Sequence, residues 1–142
     1  MIAAPPELAG HKLPGGRYRI SAAEAAELCR LAQGGAQGVN PAHATVVSLR
    51  SLGVSIGELC ALCDFDLADG PFLGELSIDF HAPLETDVDY QVSATIEGLS
   101  RHPSRQLGTL DKLRFRVDVF RPTGEPVVEL RYLWILPRGG RT

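Results

Sequence analysis

The chain has 142 residues, enough for one ordinary domain that buries roughly two thirds of its unfolded surface. Hydrophobic residues make up 44% and charged residues 22%, values near the globular average that disfavour disorder, collagen and coiled coil. The net charge of -3 leaves no basic excess for a phosphate backbone, and no apolar run approaches the roughly 20 residues that span a bilayer. Neither a nucleic-acid nor a membrane partner is therefore expected. The start of the chain lacks a basic segment followed by a long apolar one, and the cysteines are too few for a disulfide framework. The expectation is a cytoplasmic protein whose residues 1–142 form one domain.

Met1 to Gly16 carries Pro5, Pro6 and Pro14 and reads as an extended lead-in. Arg17 to Ile20 is a short candidate strand. Ser21-Ala22-Ala23-Glu24 fits a capping box, in which Ser21 accepts an amide hydrogen and Glu24 reaches back. The helix that follows is expected to end near Gly34-Gly35. Asn40-Pro41 starts a second helix, because Asn caps well and Pro suits a first turn that needs no amide partner. Val46, Leu49, Leu52, Ile56, Leu59 and Cys63 recur at helical spacing, and further apolar residues fill the other faces. Protein is therefore expected to cover this helix on most sides. Gly53 and Gly57 either leave room for close approach of a ligand to the backbone or, at Gly53, mark a small break.

An acidic loop, Asp64 to Gly70, leads into alternating segments at Leu76–Phe80, Val88–Ile96, Leu113–Val119 and Val128–Leu136. Period two over such lengths predicts antiparallel strands buried on one face, the last two joined by a turn at Arg121–Gly124. An apolar helix and a one-faced sheet are solved together by curling the sheet around the helix, an α+β arrangement known as the hotdog fold. A sheet of this size keeps an open edge, and pairing two such edges makes a dimer.

Gly38-Val39-Asn40-Pro41-Ala42-His43 resembles the Asp-x-Asn-Pro-x-His motif of the MaoC-like hotdog proteins, which include (R)-specific enoyl-CoA hydratases and 3-hydroxyacyl-thioester dehydratases. The likeness continues through Ile78–Leu84 and through Gly98 to Phe120, covering about residues 12 to 137. It implies an acyl-thioester substrate carried by CoA or an acyl carrier protein, no cofactor, and a homodimer or a heterodimer with another hotdog subunit. By the same resemblance His43 is the catalytic residue, and Gly38 stands where the family has its aspartate. Gly38, Asn40, Gly53 and Gly57 are the candidate substrate-binding residues.

Dehydration of a 3-hydroxyacyl thioester needs a base for the α proton, an acid for the β hydroxyl, and stabilisation of charge on the thioester oxygen. A neutral His43 at a helix start is suited to the first, and free helix N-terminal amides to the last. With Gly38 in the acid's place, activity is expected to fall by about 10²-fold or more. A non-catalytic partner subunit and a thioesterase using Glu58, Asp64, Asp66 or Asp69 are the alternatives. Cys60-Ala61-Leu62-Cys63 lacks the second ligand pair that a zinc site needs and reads as core packing. The basic stretch Arg101, His102, Arg105, Lys112, Arg114 and Arg116 reads mainly as a solvated surface, with a CoA phosphate or an acidic carrier protein as the functional option.

Overall fold

The computed structural model describes residues 4–31 and 39–139. In chain order they form β1 (Lys12–Arg19), α1 (Ala22–Leu31), α2 (His43–Arg50), α3 (Ile56–Leu62), a 3₁₀ turn (Leu67–Asp69), β2 (Phe72–Phe80), β3 (Asp89–Ser104), β4 (Gly108–Phe120) and β5 (Pro126–Gly139). The five strands make one antiparallel sheet in the order β1-β3-β4-β5-β2. None of the described helices is long and apolar enough to cross a membrane.

The period-two segments are strands, and each extends beyond its alternating stretch. One face of the central strands is sealed: Tyr90, Val92, Ala94 and Ile96 of β3, Leu113, Phe115, Val117 and Val119 of β4, and Val128, Leu130 and Leu136 of β5 are buried. Phe115 stacks on its cross-strand neighbour Tyr132 at 4.7 Å between ring centres, and Trp134 meets Phe115 edge-on at 5.1 Å. Helix α2 packs on β4 and β5 through buried Ala44 and Val47, and the Ser48 hydroxyl shares a buried 2.6 Å hydrogen bond with Tyr132.

Three boundaries differ from the sequence reading, one of them the start of the second helix, which is His43 and not Asn40-Pro41. Strand β1 begins at Lys12, inside the stretch read as a lead-in. It is an edge strand with a register shift between Leu13 and Gly16, and such an edge tolerates Pro14 and the glycines after it. The second helix is two helices. Gly53 adopts φ +81°, a left-handed conformation that α-helix cannot contain, and Ser55 opens α3 with a complete capping box to Glu58. The expected end of α1 at Gly34-Gly35 lies outside the described residues.

Candidate active site

The turn ahead of α2 is built by Asn40. Its side-chain oxygen accepts from the Ala42 amide at 2.9 Å, and its carbonyl accepts from the His43 amide at 2.9 Å. The Ala44 amide donates to the Pro41 carbonyl at 3.1 Å and the Thr45 amide to the Ala42 carbonyl at 3.2 Å. Asn40 is therefore not the expected N-cap: Ala42 holds that position without a side-chain cap, His43 is the first residue of α2, and the Asn40 side chain instead closes a tight turn ahead of the helix. The expectation of free amides here is corrected: the N–H groups of residues 42 to 45 each have an acceptor inside the turn.

This turn delivers His43 into the interior, where it is only 1% exposed. One ring nitrogen, Nε2, lies 2.8 Å from Oε2 of Glu24 on α1. The other, Nδ1, is buried with no hydrogen-bond partner among the described residues. The same Glu24 oxygen accepts from the Tyr18 hydroxyl on β1, and Arg50 at the end of α2 donates to that hydroxyl at 3.3 Å. Burial alone would raise the Glu24 carboxyl, but hydrogen bonds from Tyr18 and His43 and the nearby positive charge hold it below the usual carboxylate range. Burial, reinforced by the adjoining carboxylate, pushes the Tyr18 hydroxyl up.

Glu24 is the site residue that sequence reasoning missed. Half of the capping box read there exists, since the Glu24 amide donates to Ser21 Oγ at 3.0 Å. The carboxylate turns to His43, nineteen residues along the chain. Only the packing of α1 beside the head of α2 brings the two together, and no local pattern encodes that.

The other candidates are dispersed. Gly38 lies outside the described residues. At Gly53 the close approach is made by the chain itself: an added Cβ would stand 2.6 Å from both the Gly15 carbonyl oxygen and Pro14 Cβ. A Cβ on Gly57 would meet only Leu67 and Ser55 side-chain atoms, at 3.7 and 3.9 Å. Glu58 is engaged by the Ser55 amide at 2.9 Å. Asp64, Asp66 and Asp69 line a hollow of about 720 Å³ with Arg101 and Arg138, separate from His43. Cys60 and Cys63 are core residues, and burial pushes the Cys63 thiol up to about 12. Three members of the basic stretch have partners within the chain: Arg101 binds buried Asp111 at 2.7 Å, Arg116 binds Asp118 at 3.1 Å, and His102 shares a hydrogen bond with Ser100.

An apolar hollow of about 390 Å³ adjoins the Asn40 turn, walled by Val39, Pro41, Phe80, His81, Ala82, Pro83 and Leu84. It shares the turn with His43, but the imidazole is not in its wall.

No family model and no curated protein sequence matches the chain. Solved structures do. A MaoC-like dehydratase from Rhodospirillum rubrum superposes with a TM-score of 0.61 at 16% identity, covering 92% of each chain. A monoamine oxidase regulatory protein from Archaeoglobus fulgius gives 0.66 at 13% identity over 94% of this chain and 91% of that one. The HadBC (3R-hydroxyacyl-ACP dehydratase) complex from Mycobacterium tuberculosis gives 0.58 at 14% identity over 92% and 98%. At identities of this order the likeness is one of architecture, and by it this chain is a hotdog protein with the fold of the MaoC-like dehydratases.

Proposed function

We propose that this chain is a hydro-lyase acting on acyl thioesters of CoA or a carrier protein, with His43 as its acid–base residue. The observation that carries the reading is the state of that imidazole: bound to a carboxylate through one nitrogen and, among the described residues, unpartnered at the other, at the head of the helix under a hotdog sheet. In dehydration Nδ1 takes the α proton, the electron pair forms the C=C bond as the β C–O bond breaks, and the proton leaves with the hydroxyl as water. Hydration is the reverse. The apolar hollow beside the Asn40 turn suits the acyl chain.

A second reading, a partner subunit that shapes the acyl site without catalysing, is favoured by two observations. The ring is sealed within this chain, and the amides of residues 42 to 45 are already engaged.

The test is a panel of crotonyl-, longer enoyl- and saturated acyl-CoA, followed by enoyl absorbance and by thiol release. The expected outcome is enoyl hydration that falls about 10²-fold or more in His43→Ala. Hydration that appears only with a copurifying hotdog chain, and survives His43→Ala, establishes the partner reading. Release of free thiol from the saturated substrate makes the chain a thioesterase.

A further inference from the structure

Three elements converge on one carboxylate. Arg50 of α2 donates to the Tyr18 hydroxyl of β1, and Tyr18 spends its only hydrogen on Glu24 Oε2. His43 Nε2 meets the same oxygen at 2.8 Å. Arg50 donates into the Tyr18 oxygen and so leaves the Tyr18 hydrogen for Glu24, which fits an ionised, acceptor-only carboxylate; facing such a carboxylate, Nε2 is the nitrogen that carries the ring hydrogen. Nδ1 leads to the same assignment independently. Among the described residues it is buried without a partner, and a hydrogen there would be an unsatisfied buried donor, whereas a lone pair is an acceptor ready for a proton. With the ring 1% exposed, bulk water offers no competing partner that would mix the two tautomers.

We propose that Glu24 is the positioning residue for His43: a carboxylate supplied by α1 that holds the ring as its Nε2–H tautomer and so leaves Nδ1 as the reactive nitrogen, with Tyr18 and Arg50 bracing the carboxylate. The proposal rests on the reading of His43 as the acid–base residue. Glu24 itself touches no reacting atom in this scheme. It fixes which nitrogen keeps its lone pair and stabilises the imidazolium formed when Nδ1 takes a proton. The charged and titratable groups shown around the ring are Glu24 from α1, Tyr18 from β1 and, through Tyr18, Arg50 from α2.

The experiment uses the full chain labelled with ¹⁵N and pairs imidazole nitrogen NMR with kinetics on crotonyl-CoA. The wild-type His43 ring is expected wholly as the Nε2–H form. In Glu24→Gln the amide can donate as well as accept, so the Nδ1–H form should enter, and kcat should fall about 10²-fold while KM changes little. Glu24→Asp, which keeps the charge, should recover part of that loss. A wild-type ring carrying its hydrogen on Nδ1 overturns the proposal, and this measurement needs no variant to fold. Unchanged tautomer and kcat in Glu24→Gln also overturn it, and if His43→Ala is inactive in the same assay the functional reading stands without it. If the folded wild type hydrates no enoyl thioester, the functional reading fails, and the NMR comparison alone decides whether Glu24 sets the tautomer.

Discussion

Asp111 is a charge placed where the sheet's alternation puts apolar residues. It shares the inward parity of Leu113, Phe115, Val117 and Val119 on β4 and is fully buried. Two guanidinium groups compensate it, Arg101 of β3 at 2.7 Å and Arg138 of β5 at 2.8 Å. Arg138 also donates to the carbonyls of Cys63 and Asp64 and lies 5.3 Å from the Phe65 ring centre, which ties the end of α3 to the sheet. Replacing Asp111 with Asn removes the negative charge and leaves two partly buried cations facing each other. The expected loss is about 3–5 kcal/mol, read from urea denaturation, and a loss under about 1 kcal/mol would show the cluster to be solvated. Extending the β4 alternation two residues back would have placed Asp111 inward from sequence, so this charge was legible. The turn that leads into His43 was legible too, through Asn40-Pro41. The Glu24 carboxylate was not: its local signal, a capping box, is satisfied at the backbone while the side chain answers to a contact made only in the folded chain.

At the scale of elements, periodicity identified the strands because each central strand buries one face, but it could not identify the junctions. Hydrophobic spacing runs unbroken from Val46 to Cys63, yet the backbone bends at Gly53 so that β1 can cross close to the break. The Gly15 amide donates to the Leu52 carbonyl at 2.9 Å, and Gly15 has positive φ with its own missing Cβ pressed against the Val92 carbonyl. The two glycines of this region should therefore respond oppositely. Gly53→Ala imposes a left-handed conformation on a β-carbon that meets backbone on one side and a proline ring on the other, with an expected cost of about 2 kcal/mol or more. Gly57→Ala lies within α3 at ordinary contact distances and should gain up to about 1 kcal/mol. Denaturation midpoints of the two variants check the pair. A neutral Gly53→Ala would mean that the break and β1 move apart at little cost.

For the whole molecule, the two ends of the sheet differ in chemistry. The β1 edge is blunted by its register shift, by Pro14 and by Arg17 and Arg19. Among the described residues the β2 edge is bonded only to β5, and Phe72, Leu73 and Phe80 along it are 48%, 53% and 43% exposed. An open strand combining unpaired backbone groups with apolar side chains is a template for a second strand, and a copy of β2 running antiparallel satisfies both. Phe80 also walls the apolar hollow at the Asn40 turn, so a neighbour on this edge would reach the rim of the proposed acyl site. The chain is therefore expected to sediment as a dimer. Leu73→Lys, which places a charge on the edge, should shift it to monomer, and Arg17→Glu on the opposite edge should leave the dimer intact. A dimer that persists in Leu73→Lys but dissociates in Arg17→Glu would move the interface to β1. A pure chain that stays monomeric, and pairs only when mixed with a second hotdog chain, would instead make β2 a heteromeric edge. Enoyl hydration measured on the same fractions then shows whether occupancy of that edge and activity at His43 rise together, as they must if the neighbour helps to form the acyl site.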